Sequence, residues 1–338
     1  MFVVHETSLY IYMKGKTVMN QQATFIGVDL GGTTINVGLV TREGQIITEK
    51  HSPSEVKDGV EPVLSQITTI VQELIKNVGN SSSPRAMGIG VAGKIDIKKG
   101  LLLEAFNFPN WHNVNLATEL TKRIGIPVNV ENDANTAALG EYFYGAGKGS
   151  NSMLMVTLGT GVGGGLIIQG KIYRGTNGMA GEFGHTTIQY NGPVCRCGRR
   201  GCVETFIGAD AIVNNARSKL KSNQSSLLNK INLNKLTPKS ISDAANKGDK
   251  VAIEVFKEVG TYLGIGLANV ASLLNIEKII IGGGVAKAGE LILKPARETL
   301  AELTLKVPGN TIQILPAILG ERAGVIGAAH LAMLRNNL

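Results

Sequence analysis

The chain has only three cysteines, one tryptophan and ten prolines in 338 residues, and aromatic side chains make up 5% of it. Three cysteines cannot all pair, so a disulfide-stapled scaffold is excluded. Nowhere do 18 apolar residues follow one another, which excludes an ordinary membrane-spanning helix. Residues 1–20 contain Glu6, Lys14 and Lys16 and lack the apolar core and cleavage site of a signal peptide. With Met13 and Met19 as later starts, this segment reads as a flexible extension or an over-long start. The formal charge of +8 comes without any Lys/Arg run, so it could favour phosphate ligands but does not mark a nucleic-acid surface.

Glycine, by contrast, is plentiful: 43 residues, which implies many tight turns and close backbone approaches. The cysteines are also concentrated. Cys195, Cys197 and Cys202 lie within eight residues as C-x-C-x4-C, with His185 ten residues upstream. Scattered core thiols would not cluster in this way. Three thiolates and one imidazole make a closed tetrahedral zinc set with no position left for water. Gly198 and Gly201 let the backbone turn tightly enough for the sulfurs to converge. A zinc-type cluster without other cysteines fits a reducing cytoplasm.

Glu182 stands three residues before His185, and Glu204 two residues after Cys202. Each taken alone is an ordinary surface charge. A metal knot that immobilises His185 would also aim both carboxylates, and ligation through one ring nitrogen leaves the other free to hydrogen-bond. Two carboxylates and an imidazole held together suit a ligand rich in hydroxyls, such as a sugar.

Hydropathy patterning places these residues in a repeated framework. Thr24–Leu30, Ile35–Val40 and Ile46–Lys50 read as an antiparallel meander. Val60–Val78 keeps helical period, Ala86–Val91 and Pro127–Val130 read as strands, and Val114–Gly125 reads as a helix. A second unit begins near Ala134 with a helix to about Tyr144. Strands at Met153–Leu158 and Leu166–Gln169 follow it, flanking a glycine-rich turn. Residues 214–240 are polar, with helical pieces. Helices at Ala252–Leu274 and Ala323–Leu334 and strands at Lys278–Ile281 and Thr311–Leu315 complete the pattern. Strand, glycine turn, strand opens both halves, which points to an internal duplication and to two α/β domains around a cleft. The expected division is an extension at 1–20, a small domain of 21–132 plus 322–338, and a large domain of 133–321.

Two glycine turns have the character of anion sites. Asp29-Leu30-Gly31-Gly32-Thr33-Thr34 sets two glycines and two hydroxyls at a strand-to-strand turn, with Asp29 able to hold Mg²⁺ directly or through water. A plain hairpin with an Asp cap is the bland alternative. Gly159-Thr160-Gly161-Val162-Gly163-Gly164-Gly165 matches G-x-G-x-x-G, but Leu166–Tyr173 is β-rich where a dinucleotide fold needs a helix, so a hairpin tip is expected. Asn132-Asp133 falls where a strand stops and a helix starts. Asp133 can cap that helix, serve as a general base facing the cleft, or do both.

D-x-G-G-T at Asp29–Thr33, E-N-D-A-N at Glu131–Asn135, G-T-G-V-G-G-G at Gly159–Gly165, G-E-F-G-H at Gly181–His185 and C-x-C-G-x-x-G-C-x-E at Cys195–Glu204 together resemble the ROK family of bacterial sugar kinases and sugar-sensing repressors. The resemblance covers nearly everything from Thr24 onward. Asn107-Phe108-Pro109-Asn110-Trp111 is similar to the N-x-P-x-W stretch of its glucokinase branch. It implies an α/β, two-domain actin/hexokinase-like (ribonuclease H-like) fold. It further implies that Asp133 is the catalytic base and that Asn107, Asn132, Asp133, Glu182, His185 and Glu204 hold the sugar. Gly282, Gly283 and Gly284 would face the adenosine end of ATP, and Asp29, Gly31, Gly32, Thr33, Thr34, Gly159, Thr160, Gly161, Gly163 and Gly164 its phosphates.

The expected reaction is ATP- and Mg²⁺-dependent phosphorylation of glucose at the C6 hydroxyl, with structural Zn²⁺ on His185, Cys195, Cys197 and Cys202. Another hexose (fructose, mannose or an N-acetylated hexosamine) and a silent sugar sensor are the alternatives. Repressor members carry roughly 70 or more residues before D-x-G-G-T where 28 stand here, so no nucleic-acid partner is expected. A cytoplasmic homo-oligomer, dimer or tetramer, is. Sugar and nucleotide are expected to depend mainly on separate stretches of sequence, the zinc knot and the glycine loops, though not fully separately, since domain closure couples the ligands.

Overall fold

The computed structural model describes residues 23–79, 83–105, 108–222, 225–305 and 312–338. Thr24–Leu30 (β1), Thr34–Thr41 (β2) and Ile46–Pro53 (β3) form the antiparallel meander, followed by Val60–Val78 (α1). Pro84–Val91 (β4) then runs parallel to β1. Lys94–Asp96 (β5), Leu101–Glu104 (β6) and His112–Val114 (β7) make a small separate sheet. Leu116–Ile124 (α2) leads into Val128–Asn132 (β8), which pairs parallel with β4. The first sheet is therefore ordered β3-β2-β1-β4-β8.

Asp133–Tyr144 (α3) crosses to the second half. There Met153–Leu158 (β9), Val162–Ile168 (β10) and Lys171–Ile172 (β11) form another antiparallel meander. After the cysteine segment come Glu204–Ile207 (α4), Ala209–Leu220 (α5), Pro238–Ala245 (α6) and Lys250–Leu274 (α7). Lys278–Gly282 (β12), Glu290–Leu303 (α8), Gln313–Pro316 (β13) and Ala323–Arg335 (α9) complete the chain. The second sheet, β11-β10-β9-β12-β13, repeats the order and the strand directions of the first. The duplication expected from the glycine turns is thus present as topology, in the α/β actin/hexokinase-like arrangement. The small sheet and α8 were not anticipated; the strands of that sheet are three or four residues long, too short for a period to register.

Local chemistry accounts for the elements. Val63, Leu64, Ile67, Ile70, Val71 and Leu74 recur at three- and four-residue spacing and are the buried face of α1. Asn115 and Asp249 cap α2 and α7 by accepting from Thr118 and Ala252 amides, and Thr237 with Ser240 forms a capping box ahead of α6. Along β1, Ile26, Val28 and Leu30 join the core with α1, whereas Phe25 packs with Val325 and Ala329 of α9. Period two then puts Gly27 and Asp29 on the α9 side.

Glycine lets that helix approach unusually closely. A β-carbon on Gly27 would stand 1.9 Å from the Val325 carbonyl oxygen, and one on Gly88 1.8 Å from that of Ala328. The contact between α9 and α3 is just as tight: a β-carbon on Gly327 would lie 1.7 Å from the Thr136 carbonyl oxygen, and on Gly140 2.3 Å from that of Ala323. These two helices, packed backbone to backbone, join the two sheets, and the Asp133 end of α3 is held by that joint.

Candidate active site

Strand β8 ends at Asn132, whose extended backbone (φ −65°, ψ 145°) sets its side chain over the start of α3. Asn132 Oδ1 accepts from the Ala134 and Asn135 amides at 2.9 and 3.3 Å. The cap is therefore Asn132. Asp133 is the first helical residue; its Oδ1 accepts from the Ala134 amide at 2.9 Å, its own amide and the Asn132 side chain also favour its anion, and it lines the adjoining cavity. Glu131, 1% exposed, lies beneath it in a 2.6 Å ion pair with Arg174 and accepts from the Asn135 side chain at 3.1 Å. Sequence reasoning missed Arg174: nothing in its local pattern shows that it returns to the E-N-D turn.

A cavity of about 330 Å³ opens above this junction. It brings together Asn132, Asp133, Glu182, His185 and Glu204 with Gly159, Thr160, Gly161, Gly163, Gly164 and Gly283. Asp29, Gly31, Gly32, Thr33, Thr34, Gly282 and Gly284 do not line it. Asn107 lies outside the described residues. Its neighbour Trp111 is fully buried, donating to the Val56 carbonyl at 3.2 Å and meeting Phe108 edge-on at 5.1 Å. Phe108 in turn approaches Gly32, since a β-carbon there would be 3.9 Å from its ring.

The electrostatics centre on Asp133. Burial raises its carboxyl above the usual range, against the Ala134 amide that stabilises the anion. Asp29 is pushed up to about 6, chiefly by burial and then by the Asp133 charge, with the Asn36 amide opposing. Glu182 is raised by loss of water, with His185 opposing and the Asp133 charge adding to the rise. Three carboxylates thus crowd one place, a field that a divalent cation would relieve.

The second glycine loop is a hairpin tip, as expected: Val162 pairs with Leu158 and Gly163 with Thr157. Its glycines have distinct reasons. A β-carbon on Gly163 would meet Thr157 Oγ1 at 2.5 Å, one on Gly164 the Gly181 oxygen at 2.2 Å, and one on Gly165 the Ala134 oxygen at 2.6 Å. Those three let β10 lie against α3 and the Glu182 loop. Gly159 alone of the set is uncrowded, a β-carbon there meeting only the Gly161 oxygen at 3.9 Å. On Gly161 the obstacle is Glu204, whose Oε2 would be 2.8 Å away. The same oxygen accepts from the Val162 amide at 2.9 Å. The zinc knot and the glycine loop, apart in sequence, touch at Glu204.

His185, Cys195, Cys197 and Cys202 place their ligand atoms within 4.8 Å of one another. Cys195 Sγ lies 3.6 Å from His185 Nδ1, and Cys197 Sγ 3.7 Å from Cys202 Sγ. A tetrahedron with Zn–S of about 2.3 Å and Zn–N of about 2.0 Å has edges of about 3.5–3.8 Å. The donor set fits zinc, with Nδ1 as ligand and Nε2 left for the cavity.

The comparisons agree with this geometry. The family model for the ROK family matches residues 25–335. The chain is 39% identical to a glucokinase of Thermotoga maritima over 308 residues, 90% of this chain and 96% of that protein. It is also 32% identical to a xylose repressor of Caldicellulosiruptor bescii, covering 90% of this chain and 76% of the repressor. Among solved structures, a ROK glucokinase of Streptomyces griseus bound to glucose and AMPPNP superposes with a TM-score of 0.81 at 38% identity, over 92% of this chain and 100% of that one. Two duplicated sheets, a cavity floored by an Asn-Asp turn, and a Cys3His cluster beside it are the work of a sequence that belongs to the ROK family.

Proposed function

We propose that this chain is an ATP-dependent sugar kinase that phosphorylates glucose at its C6 hydroxyl. The observation that carries this reading is the Asp133 carboxylate, set on a capped helix start in a cavity shared by hydroxyl-binding groups and a glycine hairpin. Kinship with glucokinases supports the choice of glucose. Glu182, Glu204 and His185 Nε2 would receive and donate hydrogen bonds to the sugar hydroxyls, and Asn132 and Asn107 would complete its contacts. Asp133 accepts the C6 hydroxyl proton as that oxygen bonds to the γ-phosphorus and the bond from phosphorus to the bridging oxygen breaks, releasing ADP. A carboxyl raised above its ordinary range by burial is a stronger base than an ordinary one.

Gly159, Thr160, Gly161 and the first loop, Gly31 to Thr34, would carry the phosphates, with Gly282 to Gly284 toward the adenosine. Asp29 is the residue to hold Mg²⁺, whose charge would offset that of the phosphates during transfer. The lobes would be 21–132 with 322–338, and 133–321; their closure would exclude water, the competing acceptor. No helix among the described residues is long and apolar enough to cross a membrane; a cytoplasmic homo-oligomer is the setting we infer. A coupled ADP-release assay with glucose, fructose, mannose and N-acetylated hexosamines tests the reading. Glucose should give the highest kcat/KM; ADP release from none of them would sink the kinase assignment, and preference for another sugar would move the substrate within it.

A further inference from the structure

We propose that Glu204 is a positioning residue for the nucleotide loop as well as a wall of the sugar cavity, and so the physical link through which the two ligands sense each other. This rests on the kinase reading above. Residue 162 opens β10 at the hairpin tip, and its amide donates to Glu204 Oε2 at 2.9 Å. The bond spans 42 residues of sequence. It is charge-assisted, the stronger class of hydrogen bond.

The surroundings leave the carboxylate little choice of place. Gly161 makes room for it, since any β-carbon there would be 2.8 Å from the same oxygen. The other oxygen, Oε1, lies 3.8 Å from Cys195 Sγ, so one side of the group faces the cysteine cluster and the other the hairpin. The backbone repeats the strap: the Ala209 amide donates to the Gly159 carbonyl at 3.0 Å, and a β-carbon on Gly208 would stand 3.4 Å from the Thr160 oxygen. Residues 159–162 are therefore held from the α4–α5 side, not by their own strands alone. A sugar hydroxyl that bonds Glu204 from the cavity shares its carboxylate with the Val162 amide, and the shape of the glycine loop follows. Binding in one site then changes affinity in the other by the same factor in both directions.

The test is calorimetric titration of the zinc-loaded, sugar-free protein with Mg²⁺ and a non-hydrolysable ATP analogue, for wild type, Glu204→Gln and Glu204→Ala. A glutamine keeps an acceptor for the Val162 amide, whereas alanine keeps none. We expect Glu204→Gln to bind the analogue within about threefold of wild type and Glu204→Ala to lose about tenfold, the scale of one charge-assisted bond. Glucose affinity should fall in both. Hydrogen exchange at the Val162 amide should accelerate in Glu204→Ala only. Should the alanine variant fail to fold, Glu204→Asp, which withdraws the carboxylate by one methylene, takes its place with the same expected loss. Wild-type nucleotide affinity in Glu204→Ala with unchanged exchange at Val162 would overturn the proposal while leaving the kinase reading intact. A wild-type protein that binds no nucleotide would overturn both.

Discussion

Asp29, at the end of β1, lies in the field of Asp133, at the start of α3: the Asp133 charge is second only to burial in pushing Asp29 up to about 6. The joint between α9 and its neighbours makes this possible. Asp29 sits against Gly324 of α9, where a β-carbon would come within 2.9 Å of its carboxyl carbon, and α3 packs on the same helix. Two half-buried carboxylates in one field are stable as a pair only when one is protonated or a cation lies near.

That arrangement sets a pH dependence. A carboxyl whose folded-state value is raised contributes stability that is fully present below its ordinary value of 3.8 and lost as pH rises through about 6. In metal-free buffer, unfolding free energy should therefore decline between pH 4 and pH 6 by on the order of 2 kcal/mol from this group. Asp29→Asn, which keeps an acceptor for the Asn36 amide, should flatten that decline, and Mg²⁺ should raise the melting temperature of wild type more at pH 7 than at pH 5. Denaturant melts across this range decide it; an identical slope in Asp29→Asn would show that Asp29 is not the titrating group.

Asp133→Asn should lower kcat by about 10² or more, the scale of general-base catalysis, with glucose affinity held within a few fold. Since Asn132 is the helix cap, the variant should also melt no lower than wild type: it removes a buried charge and no cap. Near wild-type turnover, or a clear loss of stability, would return Asp133 to a structural role. Asn132→Ala, by comparison, should cost about 1 kcal/mol of stability through the lost cap.

Freshly purified active protein should contain about one zinc per chain, as a Cys3His set requires. Cys197→Ser should lose metal, thermal stability and sugar affinity together, because the cluster ties the His185 segment to the turn before Glu204. Elemental analysis and glucose titration of the same preparations check this, and active protein without metal would contradict the assignment.

Gly327→Ala adds a single methyl, yet its β-carbon would fall 1.7 Å from a backbone oxygen, that of Thr136, which has no rotamer to escape into. The helices must separate, at about 3 kcal/mol or more, the upper end of overpacking costs. Chemical denaturation should show it, with turnover falling as α3 shifts. Gly248→Ala, at a glycine with open space but a φ of 85°, should cost only about 1 kcal/mol.

Much of this protein is determined by near neighbours in sequence. Val60–Val78 declares its helix through apolar spacing, Met153–Leu158 its strand through a short apolar run bounded by glycine, and the Cys3His set its metal through ligand types a few residues apart. In each, the interactions that decide the outcome act within one turn, one strand or one loop. Contacts between remote segments are another matter. Which side chain caps α3, why Gly163 and Gly164 must be glycines, that the Asp29 loop stays outside the cavity lining, and that Arg174 grips Glu131 were all decided by packing. The Glu204 bond to the Val162 amide is the clearest case. Sequence reasoning assigns Glu204 to the sugar and the loop around Val162 to the nucleotide, but does not say which donor the carboxylate meets or which acceptor the amide meets. Only the folding of α4 against the β9–β10 hairpin brings the two to 2.9 Å.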